Sequence, residues 1–123
     1  MSRSPDDRRR ALRAGADAEE RVASLLAADG WSVLARNWRG GGGELDVVVA
    51  RGVAVRFVEV KLRDPADPLG DEAVSASKRS RLRGAARAWL LSHSGLDPHD
   101  LAFLVAFVAP DGVVRLVDDA FDG

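Results

Sequence analysis

Two valine-rich runs on either side of Gly52 constrain the fold of this chain more than any other stretch. The first covers residues 43–50 and the second covers residues 55–61, and both are enriched in the β-branched and aromatic residues that favour strands. A glycine between two such runs predicts a β-hairpin, and Gly52 at the first central position of a two-residue loop suits a type II′ turn. The sequence therefore predicts an antiparallel pair of strands here.

Charged residues interrupt these apolar strands, among them Asp46 in the first strand and Glu59 and Lys61 in the second. A two-residue loop places Asp46 directly opposite Glu59, whereas a loop one residue longer pairs Asp46 with Phe57. Either register keeps Asp46 on the face that carries Glu59 and Lys61, because side chains alternate between the two faces of a sheet. The hairpin is therefore expected to bring two carboxylates together beside an ammonium group.

Adjacent carboxylates in an apolar sheet need a compensating charge, because taking each ion out of water costs several kcal/mol. A hard divalent cation such as Mg²⁺ would supply that charge, since it binds carboxylate oxygens. Lys61 would then lie near a bound phosphate or a water on the metal. The alternatives are a structural ion-pair network, in which Lys61 neutralises both acids, and a face that is simply solvated.

The residues before the hairpin predict a helix inside one domain. Residues 1–6 show no apolar pattern and are expected to be a disordered tail, so that a single domain covers residues 7–123. An amphipathic helix is predicted from about Asp7 to Asp29, and its apolar stripe contains Leu12, Ala16, Val22, Ala23 and Leu26. Glu19 falls within this stripe, which predicts a carboxylate facing the sheet or reaching water at the edge of the stripe.

A strand and a glycine run connect this helix to the hairpin. The strand is predicted from Trp31 to Trp38 and ends near Asn37, and residues 40–43 are all glycine. A phosphate-binding loop is excluded here, because no Gly-Lys-Ser/Thr follows and the next element is a strand. We expect the four glycines to form a flexible loop next to Asp46.

A second helix is predicted after the hairpin, from Glu72 or Ser75 to Ser94. Its buried side contains Val74, Leu82, Ala85, Ala86, Trp89 and Leu90. Lys78 projects onto this same side, which indicates a cation aimed at the sheet unless its stem extends along the helix into water. Arg79 and two further arginines of the helix, Arg83 and Arg87, project outward.

Two further strands complete the chain, at Leu101 to Ala109 and at Val113 to Val117. The helix between Lys61 and Leu101 predicts a right-handed crossover that makes the fourth strand parallel to the third. The predicted fold class is therefore α/β, with a mixed sheet of about five strands flanked by helices in the order α-β-β-β-α-β-β.

Composition limits the functional classes. The 123 residues include no cysteine, and the longest apolar run is too short to span a bilayer, so a soluble cytoplasmic protein without a membrane partner is expected. The net charge of −1 gives no global sign of nucleic-acid binding. The arginines are nevertheless clustered locally, which suits either basic patches or ordinary solvated helix faces.

Several short motifs carry a resemblance to a known family. They are Gly15-x-x-Ala18-Glu19, Gly30-Trp31, Arg36-Asn37, Gly43-Glu44-Leu45-Asp46, Phe57-Val58-Glu59-Val60-Lys61-x-Arg63 and Lys78. Together they resemble the YraN-like family of uncharacterised bacterial proteins. That family is similar to the PD-(D/E)xK restriction-endonuclease-like nucleases and to archaeal Holliday-junction resolvases.

The resemblance implies a restriction-endonuclease-like α/β/α core and metal-dependent cleavage of phosphodiester bonds, particularly in structured or branched DNA. Asp46 and Glu59 would bind Mg²⁺ or Mn²⁺, Lys61 would assist the attacking water, and Glu19 would be an additional catalytic acid. The candidate nucleic-acid-binding residues are Arg63, Lys78, Arg79 and Arg81.

The partner implied by the resemblance is nucleic acid, with DNA favoured over RNA, and a homodimer would suit branched DNA. Two other functions fit the same sequence. One is a non-catalytic module that binds nucleic acid or protein with the nuclease fold. The other is a structural adaptor with a buried ion-pair network.

Overall fold

The computed structural model of the protein describes residues 5–62, 76–93, 95 and 100–118. The described elements are α1 (Pro5–Ala28), β1 (Ser32–Gly40), β2 (Gly43–Arg51), β3 (Ala54–Leu62), α2 (Ala76–Ser92), β4 (Asp100–Val108) and β5 (Val114–Asp118). Neither helix in this part of the chain has the length and apolar character needed to cross a membrane. The order of elements predicted from the sequence is confirmed.

The five strands form one mixed sheet in the order β1-β2-β3-β4-β5. Neighbouring strands are antiparallel except β3 and β4, which run parallel. This pair is parallel because the chain passes through α2 between the two strands, and parallel strands need such a crossover. The predicted α/β fold with a mixed sheet is therefore confirmed.

The sheet lies between the two helices. Alternate residues of the hairpin pack on its opposite sides, with Val47, Val49 and Val58 in the core under α1 and Val48, Val55 and Phe57 in the core under α2. Trp89 of α2 is completely buried and meets Phe57 edge-on, with ring centroids 5.9 Å apart. Burial on both faces explains why the hairpin strands are apolar along most of their length.

The central hairpin has the register predicted for a two-residue loop. Arg51 pairs with Ala54, and the ladder continues to Val47 opposite Val58. Gly52 has a φ of 60°, as the first central position of a type II′ turn requires. The position of the turn could be predicted because only glycine adopts this φ without steric cost.

Side-chain alternation breaks around Asp46. Leu45 and Val48 belong to the same core cluster under α2, although strict alternation would place residues three apart on opposite faces. Opposite this point on β1, Asn37 has a φ of 52°, which asparagine tolerates better than most residues. Strands β1 and β2 are therefore irregular at the position of Asp46. The pairing of these strands does not determine in which direction the Asp46 side chain points.

The glycine run forms a tight turn packed against α2, and not the flexible loop that we expected. Gly40 pairs with Gly43, and the turn residues Gly41 and Gly42 have φ values of 59° and 84°. A Cβ atom on Gly41 would lie 2.2 Å from the backbone oxygen of Gly84 in α2. Gly41 is therefore required by the contact between the backbones of the turn and the helix, whereas Gly42, which has no atom near its Cβ position, is required by its positive φ.

The first helix begins earlier than predicted. It starts at Pro5, so the last two residues of the expected tail, 1–6, belong to α1. Proline suits the first position of a helix, because its φ is already helical and its missing N–H has no partner there. The predicted start of the second helix, at Glu72 or Ser75, lies outside the described residues.

Candidate active site

A cleft of about 390 Å³ lies between α2 and the strands β1, β2 and β3. We call it the carboxylate cleft, and its charged lining residues are Arg39, Glu44, Asp46, Glu59, Lys78 and Arg81. Acidic and basic side chains therefore meet in one concave site. Such a site can bind a cation through its acids and an anion through its bases.

Asp46 is fixed by a backbone contact across the hairpin. The amide of Val60 donates a hydrogen bond of 2.9 Å to its Oδ2 atom. Burial, and after it the negative charge of Glu59, raise the pKa of Asp46 from 3.8 to about 7, although the hydrogen bond from the Val60 amide acts in the opposite direction. The two carboxylates therefore approach each other closely enough to disfavour simultaneous ionisation.

Glu59 is the buried acid of the site. It is 8% exposed, and no other polar or charged side chain among the described residues is buried. Lys78 reaches it from α2, with Nζ 2.5 Å from Oε1. The prediction that Lys78 points towards the sheet is confirmed, and the ammonium that pairs with the acids belongs to Lys78 and not to Lys61.

Glu19 approaches the site from α1 but does not line the carboxylate cleft. Its carboxylate forms a hydrogen bond with the side chain of Asn37, at the irregular point of β1. Burial raises the pKa of Glu19, and the negative charges of Glu44 and Glu59 act in the same direction. Glu19 thus faces the sheet, as its position in the apolar stripe predicts.

Two further predicted site residues, Lys61 and Arg79, do not line the carboxylate cleft. Lys61 follows Glu59 by one pleat on β3, beside Phe107 of β4, but it does not line the cleft and has no ion-pair partner among the described residues. Arg79 was expected to project outward, yet its side chain is half-buried and its Nε atom is enclosed. Arg63 lies outside the described residues.

Arg39 and the glycine turn are parts of the site that were not predicted from the sequence. Arg39 is on β1, and its Nε atom lies 3.8 Å from Glu44. Gly42 and Gly43 also line the cleft. The signal was present in the sequence, because the run of glycines adjacent to the arginine indicated a close backbone approach. The element that the glycine turn approaches is α2, which is distant from the turn in the sequence.

The residues of the cleft fit a hard divalent cation held by few protein ligands. Asp46 and Glu59 supply carboxylate oxygens, and burial together with the charge of Glu59 raises the pKa of Asp46. No group of three or more His, Cys, Asp or Glu side chains in the described ranges is arranged to hold a metal ion. Mg²⁺ is commonly bound by one or two carboxylates plus water and substrate phosphates, so two carboxylates suffice for this ion.

Comparison with known proteins identifies relatives along most of the chain. A family model described as "Uncharacterised protein family UPF0102" matches residues 18–108. A UPF0102 protein of Gloeobacter violaceus is 48% identical over 113 residues, covering 86% of this chain and 90% of the relative. One from Methylorubrum extorquens is 40% identical over 119 residues, covering 96% and 92%. One from Nitrobacter winogradskyi is 38% identical over 112 residues, covering 91% and 94%.

Proposed function

The chain belongs to the uncharacterised protein family UPF0102, as its YraN-like motifs predict, and we propose that it is a metal-dependent nuclease. The proposed reaction is hydrolysis of phosphodiester bonds, with structured or branched DNA as the first substrate to test. The cytoplasm is the proposed location, and a homodimer is the proposed form on branched DNA. The observation that carries the proposal is the pair of converging carboxylates in a cleft with a basic rim.

Asp46 and Glu59 would hold Mg²⁺ or Mn²⁺, together with the backbone carbonyl of Val60. When bound, the ion supplies a Lewis acid that neutralises the charge developing on the phosphoryl oxygens. The Val60 amide keeps the Asp46 carboxylate oriented, because its hydrogen bond persists when Asp46 is ionised. Burial of Glu59 keeps water from solvating the acid and thereby favours binding of a compensating cation.

Basic side chains of α2 would bind phosphates of the substrate backbone. Lys78 and Arg81 lie one helical turn apart and both line the cleft. Lys78 would exchange Glu59 for a phosphate oxygen once the metal compensates the acid. Lys61, on the same face of β3 as Glu59, would orient the attacking water or accept its proton. Glu19, which does not line the cleft, would act on the site indirectly, through its hydrogen bond with Asn37 of β1.

A cleavage assay on linear, flapped and four-way DNA tests the proposal. The unmodified protein should cleave at least one of these substrates with Mg²⁺ or Mn²⁺ and none in excess chelator. Asp46→Asn should lose at least about 10²-fold in rate while retaining DNA affinity, because the amide still accepts the Val60 hydrogen bond but binds a cation poorly.

The matched control is Asp29→Asn, which changes an exposed aspartate that pairs with Arg51 at 3.7 Å. It should cleave as the unmodified protein does. If Asp46→Asn cleaves DNA at the same rate as the unmodified protein, the cleavage comes from a contaminating nuclease and the proposal is contradicted.

A non-catalytic binding module is the second candidate, and the Lys78–Glu59 ion pair favours it. This contact already compensates the buried acid without a metal. Calorimetric titration with Mn²⁺ distinguishes a metal site from a purely structural ion-pair network, since only the former gives saturable heat that Asp46→Asn abolishes. Nucleic-acid binding without turnover by the Mn²⁺-loaded protein would then identify a binding module.

A further inference from the structure

The basic side chains of the carboxylate cleft fall into two groups. Lys78 is held on Glu59 at 2.5 Å. Arg39 and Arg81 lie instead beside the β1–β2 turn, where a Cβ on Gly43 would be 2.3 Å from the backbone oxygen of Arg81. One cation therefore belongs to the buried acids, and two others flank the glycine turn.

Both of these arginines are available to a ligand. The side chain of Arg39 is 82% exposed, and its 3.8 Å contact with Glu44 is a weak surface ion pair. Arg81 is exposed and has no ion-pair partner among the described residues. Neither guanidinium has to leave a buried partner before it binds an anion.

The glycine turn holds the two arginines on one scaffold. Gly41 contacts the backbone of α2 at Gly84, so that the end of β1 and the helix cannot separate without breaking this packing. Gly42 also lines the cleft, and the position that a Cβ would occupy there has no other atom within 4 Å. A phosphate group can therefore approach the turn closely between two guanidinium groups.

We propose that Arg39 and Arg81 form a second phosphate subsite, next to the one at the carboxylates. The ligand of the cleft is then a polynucleotide strand, which places successive phosphates at both subsites, and not a mononucleotide. This inference rests on the proposed function, in which Asp46 and Glu59 lie at the scissile phosphate. No aromatic side chain of the described residues lines the cleft, so the contacts bind the backbone without reading the base sequence.

Binding of short fluorescein-labelled oligonucleotides tests the subsite, with DNA and RNA of the same sequence as separate arms. All variants are made on Asp46→Asn, so that no strand is cut during titration. Arg39→Ala and Arg81→Ala should each weaken binding by about five- to twentyfold and reduce the slope of log affinity against log salt by about one. The nucleic acid that binds more tightly is the preferred polymer. The two arginine variants should lose affinity for both DNA and RNA.

Arg51→Ala is the matched control. Arg51 is also an exposed arginine at a strand end, but it does not line the cleft; its side chain lies 3.7 Å from the Asp29 carboxylate, donates a hydrogen bond of 2.9 Å to the Asp29 carbonyl and lies over the Trp31 ring. It should bind within about twofold of the parent. Arg39→Lys should restore part of the affinity, and unchanged melting temperatures would show that the variants fold.

The subsite proposal is overturned if Arg39→Ala and Arg81→Ala bind with the affinity of the parent, or if Arg51→Ala loses as much affinity as they do. If the unmodified protein cuts DNA in that case, the nuclease proposal stands without it. Arg39-dependent strand binding by a protein that cuts no substrate supports the subsite and contradicts the nuclease.

Discussion

At the scale of single residues, Asp46 has a structural and a chemical role. Its carboxylate accepts the Val60 amide hydrogen bond where the β2–β3 ladder has ended. The same carboxylate has a raised pKa because it is half-buried beside Glu59. Asp46 therefore stabilises the contact between the strands by accepting a hydrogen bond from a half-buried amide, while its surroundings disfavour its own ionised form.

The unfolding free energy should therefore depend on pH through Asp46. The pKa of Asp46 is about 7 in the folded protein, against 3.8 for an ordinary aspartate, so that between these pH values the folded protein keeps a proton that the unfolded chain releases. The contribution of this group to stability is full below pH 3.8 and is lost as the pH rises through about 7. Asp46→Asn should raise the unfolding free energy by about 1–3 kcal/mol at about pH 8 and by less at about pH 5.

Chemical denaturation at both pH values measures this difference. Asp29→Asn, at an exposed position, should change stability little at either pH. A destabilised Asp46→Asn protein at the higher pH would contradict this account of the site.

The Lys78–Glu59 pair predicts a second effect at this scale. Lys78→Met leaves the 8%-exposed Glu59 without its ammonium partner and should lower the unfolding free energy by about 1–3 kcal/mol. Glu59→Gln on the same background should recover most of the loss, because no buried charge then remains. A double-mutant cycle in denaturant measures the coupling, and additive effects of the two substitutions would show that the pair does not stabilise the fold.

At the scale of secondary-structure elements, the contact between the glycine turn and α2 determines the shape of the carboxylate cleft. Gly84→Ala should destabilise the protein by about 1–3 kcal/mol, although alanine favours helices, because its Cβ would lie 2.6 Å from the Gly41 oxygen. Gly15→Ala in α1 is the control. A Cβ there meets nothing within 4 Å, so this variant should gain up to about 1 kcal/mol. Thermal unfolding measures both, and the same sign for the two variants would contradict the contact.

The elements could be predicted from the sequence because their signals are local. Valine-rich runs around Gly52 predicted the hairpin and left two registers, of which the structure has the one with a two-residue loop, and the intervening helix predicted the parallel β3–β4 pair. The packing of Gly41 on Gly84 could not be predicted, because the two glycines meet only after α2 has crossed the sheet. The same crossing decides that Lys78, and not Lys61, meets Glu59. Residues that approach from different elements need the tertiary fold.

At the scale of the whole molecule, a cation that binds the carboxylate cleft should stabilise the native state. Ligands that bind only the folded protein add about 2.7 kcal/mol at a free concentration about one hundred times the dissociation constant. Mn²⁺ at about pH 8 should therefore raise the melting temperature by several degrees. Lys78→Met should show a larger increase, because the dication replaces its lost ammonium group.

Differential scanning calorimetry with and without Mn²⁺ measures this shift. Asp46→Asn provides the comparison, since it lacks one of the two ligands and should show little change. An equal shift in the unmodified protein and in Asp46→Asn would place metal binding elsewhere.

The hydrogen bond from Val60 to Asp46 offers a spectroscopic view of the site. An amide proton moves downfield when its acceptor becomes anionic, because the hydrogen bond to a charged oxygen is stronger and shorter. The Val60 resonance in a ¹⁵N-labelled sample thus serves as an internal indicator of Asp46 ionisation and of any ion that its carboxylate takes up. Titrating one cross-peak would follow the chemistry of the cleft without substrate, turnover or an added dye.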